Sequence, residues 1–452
     1  MAGRATHRNR PKRLRLIMTR LRAAAVLGLV LGALAVWGQP AVYAQSTSPD
    51  TLRGAPTPAP DSVADVNQTP YRSNRTIAEH ILAAPAYVLH GVTRPIGWVG
   101  RWSIENLLPV YQRYFTGPRA VVPVLTLGTE TAAAGGLLAY DRHLFGSDHS
   151  ARLRAVWGSR SVNDFSARYT LPRPLGKNTR LSISAQYFND PSKRFFLRGN
   201  RADQRDEARF SLEQFQVSAR LDYDPESLLQ SHLTVEFEDA TTEPSEVDEE
   251  EGDLLPTTLA GLGDSERLQV QTELSIDGTG DGPRATSGTR LNLGLRYNHE
   301  LGDDRFRYGG YAVEVQQFVP ILIFPETRRL ALRARLQQSE TLGGERDIPF
   351  YELSRLGSEN TLRGFENDRF SDEGSLLLNA EYRYPVWDNM DASLFVDAGQ
   401  VFGGLGDIPE NRFHPAGGVG VHLLGKQGPR FRFEVAFSKE STRVILTSGS
   451  AF

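Results

Sequence analysis

The side chains that could carry chemistry in this 452-residue chain are mainly arginines and carboxylates. The chain has no cysteine, so it offers no thiolate nucleophile, no disulfide and no thiolate metal site. Its nine histidines are scattered, and neither a Gly-x-Ser-x-Gly nor a His-Glu-x-x-His motif is present. Because no nucleophile stands beside a base, we expect that the protein is not an enzyme and carries no cofactor.

An acidic run forms the second candidate group, within a segment of about residues 236–266. Its carboxylates are Glu246, Asp248, Glu249, Glu250, Glu251 and Asp253. Carboxylate oxygens suit Ca²⁺ or Mg²⁺, but the spacing matches no EF-hand loop. An acidic run without a ligand pattern is usually a solvated loop tip. We therefore predict no metal site.

A third group combines an arginine in a loop with acids on strands. Arg363, Gly364 and Phe365 lie in a long segment without regular periodicity, at about residues 338–372. A guanidinium fork pairs with two carboxylates better than an ammonium group does, and glycine permits a backbone turn that other residues avoid. The chemistry available here is ion pairing, and neighbouring elements must supply the acids.

Those neighbouring elements alternate apolar and polar residues. The apolar positions of the segment after the loop are Leu376, Leu378, Ala380, Tyr382 and Tyr384. Glu381 belongs to the polar set of the same segment, and Asp397 alternates with Val396 and Ala398 in the next one. Since successive side chains of a strand point to opposite faces, both acids are predicted to face one polar interior.

The period of two continues from Val121 to Phe452 and predicts an all-β fold. About sixteen candidate strands begin near residues 121, 133, 150, 162, 179, 208, 230, 267, 289, 306, 328, 374, 390, 413, 429 and 443. Long connections follow the fifth, seventh, eleventh and thirteenth strands, whereas most connections at the opposite end are short. A soluble β-sandwich also alternates. The even count and the sorted connections favour a 16-stranded antiparallel transmembrane β-barrel over residues 119–452.

The N-terminal region predicts export. Eight basic residues and no acid occupy the first 22 positions, and the apolar run from Ala23 to Trp37 is short for a membrane span. Small residues precede Gln45, so we expect a cleaved signal peptide over residues 1–44; the alternative is an uncleaved anchor. Its removal leaves 43 basic against 54 acidic residues, and such an acidic exported chain is a poor partner for nucleic acid.

Two further segments precede the strands. Residues 45–71 are rich in Pro, Ser, Thr and Asp, which predicts a disordered linker. Residues 72–118 are predicted to be an amphipathic helical segment in the periplasm, because apolar residues between Ile104 and Phe115 recur at spacings of three and four. Its tryptophans and arginines fit a membrane interface or the barrel mouth; an ordinary packed helix is the alternative.

The loop and the strands after it resemble the BamA/TamA family, the outer membrane protein 85 superfamily of barrel insertases and two-partner secretion transporters. The matching residues are Arg363, Gly364 and Phe365 at the loop tip, Glu381, Asp397 and Gly399 on the next strands, and the glycine-rich segment from Gly417 to Gly420. The resemblance implies that the loop folds into the lumen and that Arg363 contacts Glu381 and Asp397 on the inner wall. It also implies that the terminal Phe452 is an assembly signal read by the barrel assembly machinery.

The resemblance implies an outer-membrane protein that assists insertion, assembly or translocation of proteins or lipids. The implied partners are client barrel proteins, outer-membrane lipids and lipopolysaccharide, and the implied site of client pairing is a weak seam between the first and last strands. Residues 72–118 show no clear strand pair, so we expect a member without POTRA domains. The alternative function is a passive pore or structural barrel without clients. Its lumen arginines would meet anions or merely pair with lumen acids, and they are Arg333, Arg335, Arg430 and Arg432.

Overall fold

The structure is a computed structural model that describes most of the chain after residue 116. The described residues are 117–126, 134–158, 161–225, 227–245, 255–256, 258–279, 287–321, 328–343, 347–387, 389–408, 412–425 and 428–448. The predicted signal peptide, the linker and nearly all of the predicted helical segment lie outside these ranges. The acidic run and Phe452 also lie outside them.

Sixteen strands form one sheet, and two more form a small separate hairpin. The strands are β1 (Arg119–Thr126), β2 (Ala134–Asp141), β3 (Ser150–Gly158), β4 (Asn163–Pro172), β5 (Thr179–Phe196), β6 (Glu207–Tyr223), β7 (Leu229–Pro244), β8 (Gly263–Asp277), β9 (Gly288–Glu300), β10 (Arg307–Pro320), β11 (Arg329–Thr341), β12 (Ser354–Leu356), β13 (Phe370–Asp372), β14 (Gly374–Trp387), β15 (Met390–Phe402), β16 (His414–Gly425), β17 (Gly428–Ser438) and β18 (Thr442–Ser448). Short 3-10 helices occur at Leu144–Gly146, Gln204–Asp206, Phe350–Glu352 and Leu405–Asp407. No helix in the described ranges is long and apolar enough to cross a membrane.

The sheet follows chain order, from β1 to β11 and then from β14 to β18, with antiparallel pairing throughout. The predicted sixteen antiparallel strands are confirmed, and the main difference in position is β8, which begins at Gly263 instead of near residue 267. Within the described residues, β1 pairs with β2 and β18 pairs with β17, and no ladder joins β1 to β18. These two strands therefore border a seam.

The burial pattern shows which face of the sheet carries the polar residues. On β14, Asn379, Glu381 and Arg383 are buried, while Leu378, next to Asn379, is exposed. Large apolar side chains elsewhere on the sheet are likewise exposed, including Val396 at 59% and Phe431 at 54%. This arrangement inverts that of a soluble protein and is the one a barrel needs in lipid, with polar residues inside and apolar residues outside.

Two ends of the sheet differ in their connections. Long connections leave β5, β7, β11 and β15 at what we call the long-loop end, and brief ones such as β14 to β15 lie at the short-turn end. Residues 342–373, called here the lumen loop, connect β11 to β14 and contain the β12–β13 hairpin. Phe350 at the start of this loop makes edge-on contacts with Phe195 and Phe210, at ring-centroid distances of 4.9 and 4.7 Å. The lumen loop is thereby packed against the long β5–β6 pair.

Candidate functional site

Arg363 is the buried centre of the lumen loop, with 1% of its surface exposed. Its Nε and Nη2 donate to the two carboxylate oxygens of Asp397, each at 2.8 Å. The backbone N–H of Arg363 also donates to Asp397 Oδ2, at 3.2 Å. The side chain and the backbone of one residue are thus fixed by a single carboxylate on β15.

The remaining guanidinium nitrogen of Arg363 joins two other strands. Nη1 donates to Glu381 Oε2 on β14 at 3.0 Å and to Glu434 Oε1 on β17 at 2.9 Å. All three carboxylate side chains are fully buried. One arginine therefore connects three wall strands from inside, and charge-assisted bonds of this kind are stronger than neutral ones.

Local sequence makes room for this cluster. The guanidinium carbon lies 3.4 Å from the centre of the Phe395 ring, which covers one face of the group. On β16, a Cβ added to Gly418 would collide with that ring and with the Val435 carbonyl, and one added to Gly420 would meet the Glu434 side chain at 2.8 Å. The glycines of this strand thus provide the volume that Phe395 and Glu434 occupy.

The acids are shared with further cations, so the cluster is balanced in charge. Arg383 Nε donates to Glu381 at 2.8 Å, and Arg432 Nη1 donates to Glu434 at 3.0 Å. Burial alone would lower the pKa of the Arg363 guanidinium, but hydrogen bonds to Asp397 and the three negative charges outweigh that effect and raise it. Arg363 is therefore permanently charged, and removing one member of such a buried group costs about 3 to 5 kcal/mol.

Gly364 and Phe365 follow Arg363 into a tight space under β16 and β17. A Cβ on Gly364 would lie 2.8 Å from the backbone carbonyl of Phe437, so this position needs glycine because two backbones approach closely. The expectation that Gly364 provides an unusual turn is wrong, since the left-handed glycines in the described part of the loop are Gly343, with φ of 84°, and Gly357, with φ of 105°. Phe365 is fully buried, with its ring 5.3 Å from that of Phe370.

Gly399 lies beneath the same loop. A Cβ there would meet Leu356 at 2.9 Å and Leu362 at 3.2 Å. Both leucines belong to an apolar cluster that holds the loop tip against the wall. The members of this cluster are Leu356, Leu362, Phe365, Phe370, Leu377, Val401 and Ala416.

The lumen loop is also fastened to the end of the chain. Ser441 Oγ donates to the Gly364 carbonyl at 2.9 Å. Arg443 on β18 donates to the Phe365 carbonyl and, at 3.2 Å, to Asn367 Oδ1. The last strand of the sheet is thus tied to the loop that Arg363 anchors.

A second ion cluster holds the beginning of the lumen loop. Buried Arg267 on β8 pairs with Glu238 on β7 and, at 3.0 Å, with Glu352 of the loop. Burial would raise the pKa of Glu352, but the charges of Arg267 and Arg296 outweigh it and hold the pKa below its usual range. Glu352 is therefore ionised, and arginines hold both the beginning and the centre of the loop.

The connection between β5 and β6, residues 197–206, forms a strap across the long-loop end. Asn200 Nδ2 donates to the Arg412 carbonyl at 2.7 Å, and its Oδ1 accepts from the Val401 N–H at 3.0 Å. These partners belong to β15 and to the segment before β16. In the sheet order, β16 is nine positions away from β5. Arg198 adds ion pairs to Asp372 at 2.6 Å and to Glu373 at 2.7 Å. The strap therefore crosses over the lumen loop.

The lumen contains a chamber at the opposite, short-turn end. Its volume is about 1280 Å³, and inward side chains of β1 to β8 line it. Most of the lining is polar, and the apolar residues of the lining include Val122 and Leu138 near the seam. The lumen loop thus fills the lumen beside β14 to β17, and the space beside β2 to β8 is open.

Glu381, His422 and Glu434 bring ligand atoms within 4.8 Å of one another, close enough to hold a metal ion. His422 Nε2 lies 3.4 Å from Glu381 and 3.5 Å from Glu434. Arg363 Nη1 stands between the same two carboxylates. The guanidinium therefore supplies there the positive charge that a cation would bring.

Sequence reasoning named part of this site and missed part of it. The structure brings Arg363 together with Glu381 and Asp397, and it places Gly399 under the loop, while Phe452 lies outside the described residues. Glu434 and His422 were not singled out. Glu434 could have been found from the polar face of its strand, where it alternates with Phe433 and Val435. No comparable pattern marks Asn200.

The sixteen-stranded sheet, its apolar outer face and its arginine-pinned lumen loop define a BamA-like barrel of the outer-membrane type. A family model described as the Omp85 superfamily domain matches residues 143–444. The chain therefore belongs to the Omp85 superfamily, whose members are outer-membrane transporters and assembly factors.

One solved structure gives the same fold at low sequence identity, and two others are similar to the chain. BamA from Haemophilus ducreyi lacking POTRA domains 1–3 is 14% identical, with a TM-score of 0.56 and coverage of 74% of this chain and 70% of that one. CdiB from Acinetobacter baumannii is 12% identical, with a TM-score of 0.46 and coverage of 72% and 58%. CdiB from Escherichia coli is also 12% identical, with a TM-score of 0.46 and coverage of 73% and 60%. No match was found among curated proteins.

Proposed function

We propose that this protein assists the insertion or translocation of proteins at the outer membrane by presenting a strand edge at the seam between β1 and β18. One observation carries the proposal: the two sides of the seam are held differently. Ser441 and Arg443 fasten the β18 side to the lumen loop, whereas β1 pairs with β2 alone among the described residues. The β1 side is therefore the side that moves.

An exposed strand edge is a template for another strand. Backbone N–H and C=O groups without partners are costly in lipid, so an open edge there pairs with any suitable extended segment. β1 offers eight residues, and β18 offers seven. A client strand would first pair with β1. It would be released when β1 and β18 of this protein come together again at the seam.

The same proposal includes the topology of the chain and its partners. Residues 1–44 act as a cleaved signal peptide, 45–71 as a linker, and 72–118 as a periplasmic helical segment that stands in place of POTRA domains. Phe452 acts as the signal for the barrel assembly machinery, and client barrels, outer-membrane lipids and lipopolysaccharide are the partners. Mass spectrometry of the mature N-terminus tests the first element, since an intact residue 1 would contradict it.

A disulfide across the seam tests the mechanism. The chain has no cysteine, so introduced pairs are unambiguous. One cysteine is placed within residues 120–124 and the other within residues 443–447, and the pair that oxidises is taken forward. The matched control is V435C with V444C, because these residues are register partners on β17 and β18 and their disulfide leaves the seam free.

The readout is insertion of an outer-membrane barrel client into vesicles that contain the variant. We expect the oxidised seam variant to lose its assistance and to regain it on reduction, while the oxidised control keeps it. Unchanged insertion with a locked seam would overturn the proposal.

A passive pore is the second candidate, and the 1280 Å³ chamber favours it. The lumen loop and the strap cross the remaining part of the lumen, and lumen arginines Arg333 and Arg432 are bonded to Asn379 and Glu434. Single-channel recording distinguishes the two functions. An open channel in the unmodified protein supports the pore, whereas silence that persists after deletion of residues 355–370 excludes it.

A further inference from the structure

Several arginines line the lumen chamber, and strand pairing at the seam does not involve them. Arg152 on β3, Arg168 on β4, Arg180 on β5 and Arg220 on β6 all line it. All four residues are exposed although they face the lumen. Four adjacent strands therefore each place an arginine on the wall of one chamber, and of these Arg220 is paired with Asp222.

Arg152 and Arg168 are register partners on neighbouring strands, so their charges lie directly opposite each other. Like charges in this position destabilise a sheet. Further along the same two strands the arginine has an acid opposite it instead, because Arg154 forms an ion pair with Asp164. Within the described residues neither Arg152 nor Arg168 has an acidic partner, and Arg168 Nε donates to the Ser184 hydroxyl at 3.1 Å.

The carboxylates of the chamber do not neutralise this pair. Two have their own cationic partners, Asp141 with Arg119 and Asp222 with Arg220, both at 2.7 Å, and Glu273 lies on β8 beside His232, at 3.4 Å. Glu236 lines the chamber from β7, three positions from β4 in the sheet order. Arg152 and Arg168 thus hold two positive charges without a counterion in the described part of the chain.

The wall around the pair supplies neutral donors as well. Thr170, Ser182 and Ser184 line the chamber, and the hydroxyls of Thr170 and Ser182 lie 3.3 Å apart. A phosphate group offers up to two negative charges and several acceptor oxygens, whereas a carboxylate offers one charge and two oxygens. Guanidinium forks bind phosphate in bidentate fashion. Two adjacent arginines beside hydroxyls therefore suit a phosphate group better than a carboxylate.

We propose that the lumen chamber binds a phosphate-bearing ligand between Arg152 and Arg168. The site is separate from the seam and does not depend on client pairing there. The strap and the lumen loop cross the long-loop end, so the ligand enters from the short-turn end or past Val122 and Leu138 at the seam. A phosphorylated solute would use the first route, and a phospholipid headgroup would use the second.

Two binding measurements on the full mature chain distinguish these sources. Calorimetric titration with inorganic pyrophosphate, in neutral detergent at low ionic strength, measures binding of a free phosphate. Native mass spectrometry of protein released from nanodiscs of phosphatidylglycerol and phosphatidylcholine measures retention of an anionic headgroup. The test variant is R152Q with R168Q, and the control is R173Q with K177Q, which removes two positive charges from an exposed turn at the same end.

We expect the test variant to lose affinity by about tenfold or more for pyrophosphate, or to lose retained phosphatidylglycerol, while the control stays within about twofold. Loss in the first assay identifies a soluble ligand, and loss in the second identifies a lipid headgroup. Binding that is absent, or equal in the unmodified protein and both variants, overturns the proposal.

Stability provides an independent check that does not need the ligand. Because the two arginines repel each other, the R152Q/R168Q variant should unfold at a higher temperature than the unmodified protein in phosphate-free buffer. Pyrophosphate should then stabilise the unmodified protein and leave the variant unchanged. A less stable variant would mean that the arginines support the fold, and the proposed site would be wrong.

Discussion

Arg363 Nη1 lies 2.9 Å from Glu434 Oε1, although the two residues are 71 positions apart in the chain. The contact joins the lumen loop to β17, the strand that pairs with β18. Asp397 and Glu381 connect the same guanidinium to β15 and β14. The cluster therefore braces the wall up to the strand beside the seam.

Replacing Arg363 should destabilise the barrel strongly. We expect R363A to lower the free energy of unfolding by about 3 to 5 kcal/mol, because it leaves three carboxylates buried without their shared cation. R363K should recover only part of this, since an ammonium group lacks the planar fork. Urea titration in lipid vesicles measures the change. The control is R335A, because Arg335 lies 3.8 Å from Glu314 in a more exposed ion pair; equal losses for both variants would contradict the role of the cluster.

The three acids should differ in their contributions. Asp397 accepts three hydrogen bonds from Arg363, whereas Glu434 accepts one. We expect D397N to cost more stability than E434Q, by about 1 to 3 kcal/mol. Hydrogen bonds to charged groups contribute more than neutral ones, and D397N weakens three bonds to Arg363 whereas E434Q weakens one. The same unfolding titration compares the two isosteric variants. A larger loss for E434Q would show that β17 is the principal anchor.

Gly364 should tolerate no side chain. The G364A methyl group would stand 2.8 Å from the Phe437 backbone, so the loop tip must move away from β17. We expect a loss of about 1 to 3 kcal/mol, the usual cost of overpacking. Gly406 is the matched control, because nothing lies within 4 Å of a Cβ added there. Unfolding of G364A and G406A at the same denaturant concentration would contradict the close approach.

Asn200 should control the strap locally. Its side chain contacts the Arg412 carbonyl, the Val401 N–H and His414. N200A removes these hydrogen bonds, each of which contributes about 0.5 to 1.5 kcal/mol. Hydrogen exchange of residues 197–206 should accelerate about tenfold or more, with little effect on global unfolding. Exposed Asn178, at the short-turn end, gives the control N178A; unchanged exchange in N200A would mean that the ion pairs of Arg198 hold the strap alone.

The strands were predictable because alternate side chains of a transmembrane sheet face lipid and lumen, so apolar and polar residues alternate along the sequence. Leu378 and Glu381 differ in burial as their positions in the alternation require. The order of the loop motif and the acidic strands made the meeting of Arg363 with Glu381 and Asp397 an expectation from family resemblance. Alternation identifies the inner face, and resemblance identifies which inner residues belong together.

Alternation places Glu434 on the inner face, but the partner of such a residue has no local pattern. Glu434 meets Arg363 because four strands place their inner faces around one point, and that point depends on register and sheet curvature. The glycine at position 364 follows from the neighbouring backbone of Phe437, which no window of sequence around it contains. Asn200 lies in an irregular connection, and its partners are more than 200 positions away. Tertiary geometry, and not local preference, decides these three.

The chain separation within the Arg363 cluster also sets an order of events during biogenesis. The guanidinium needs carboxylates from β14, β15 and β17, so its bonds cannot be complete until the penultimate strand is in place. Contacts between distant parts of a chain form late because closing long loops is entropically costly. Docking of the lumen loop is therefore a checkpoint: a barrel truncated before Glu434 keeps its earlier hairpins but cannot complete the bonds of Arg363.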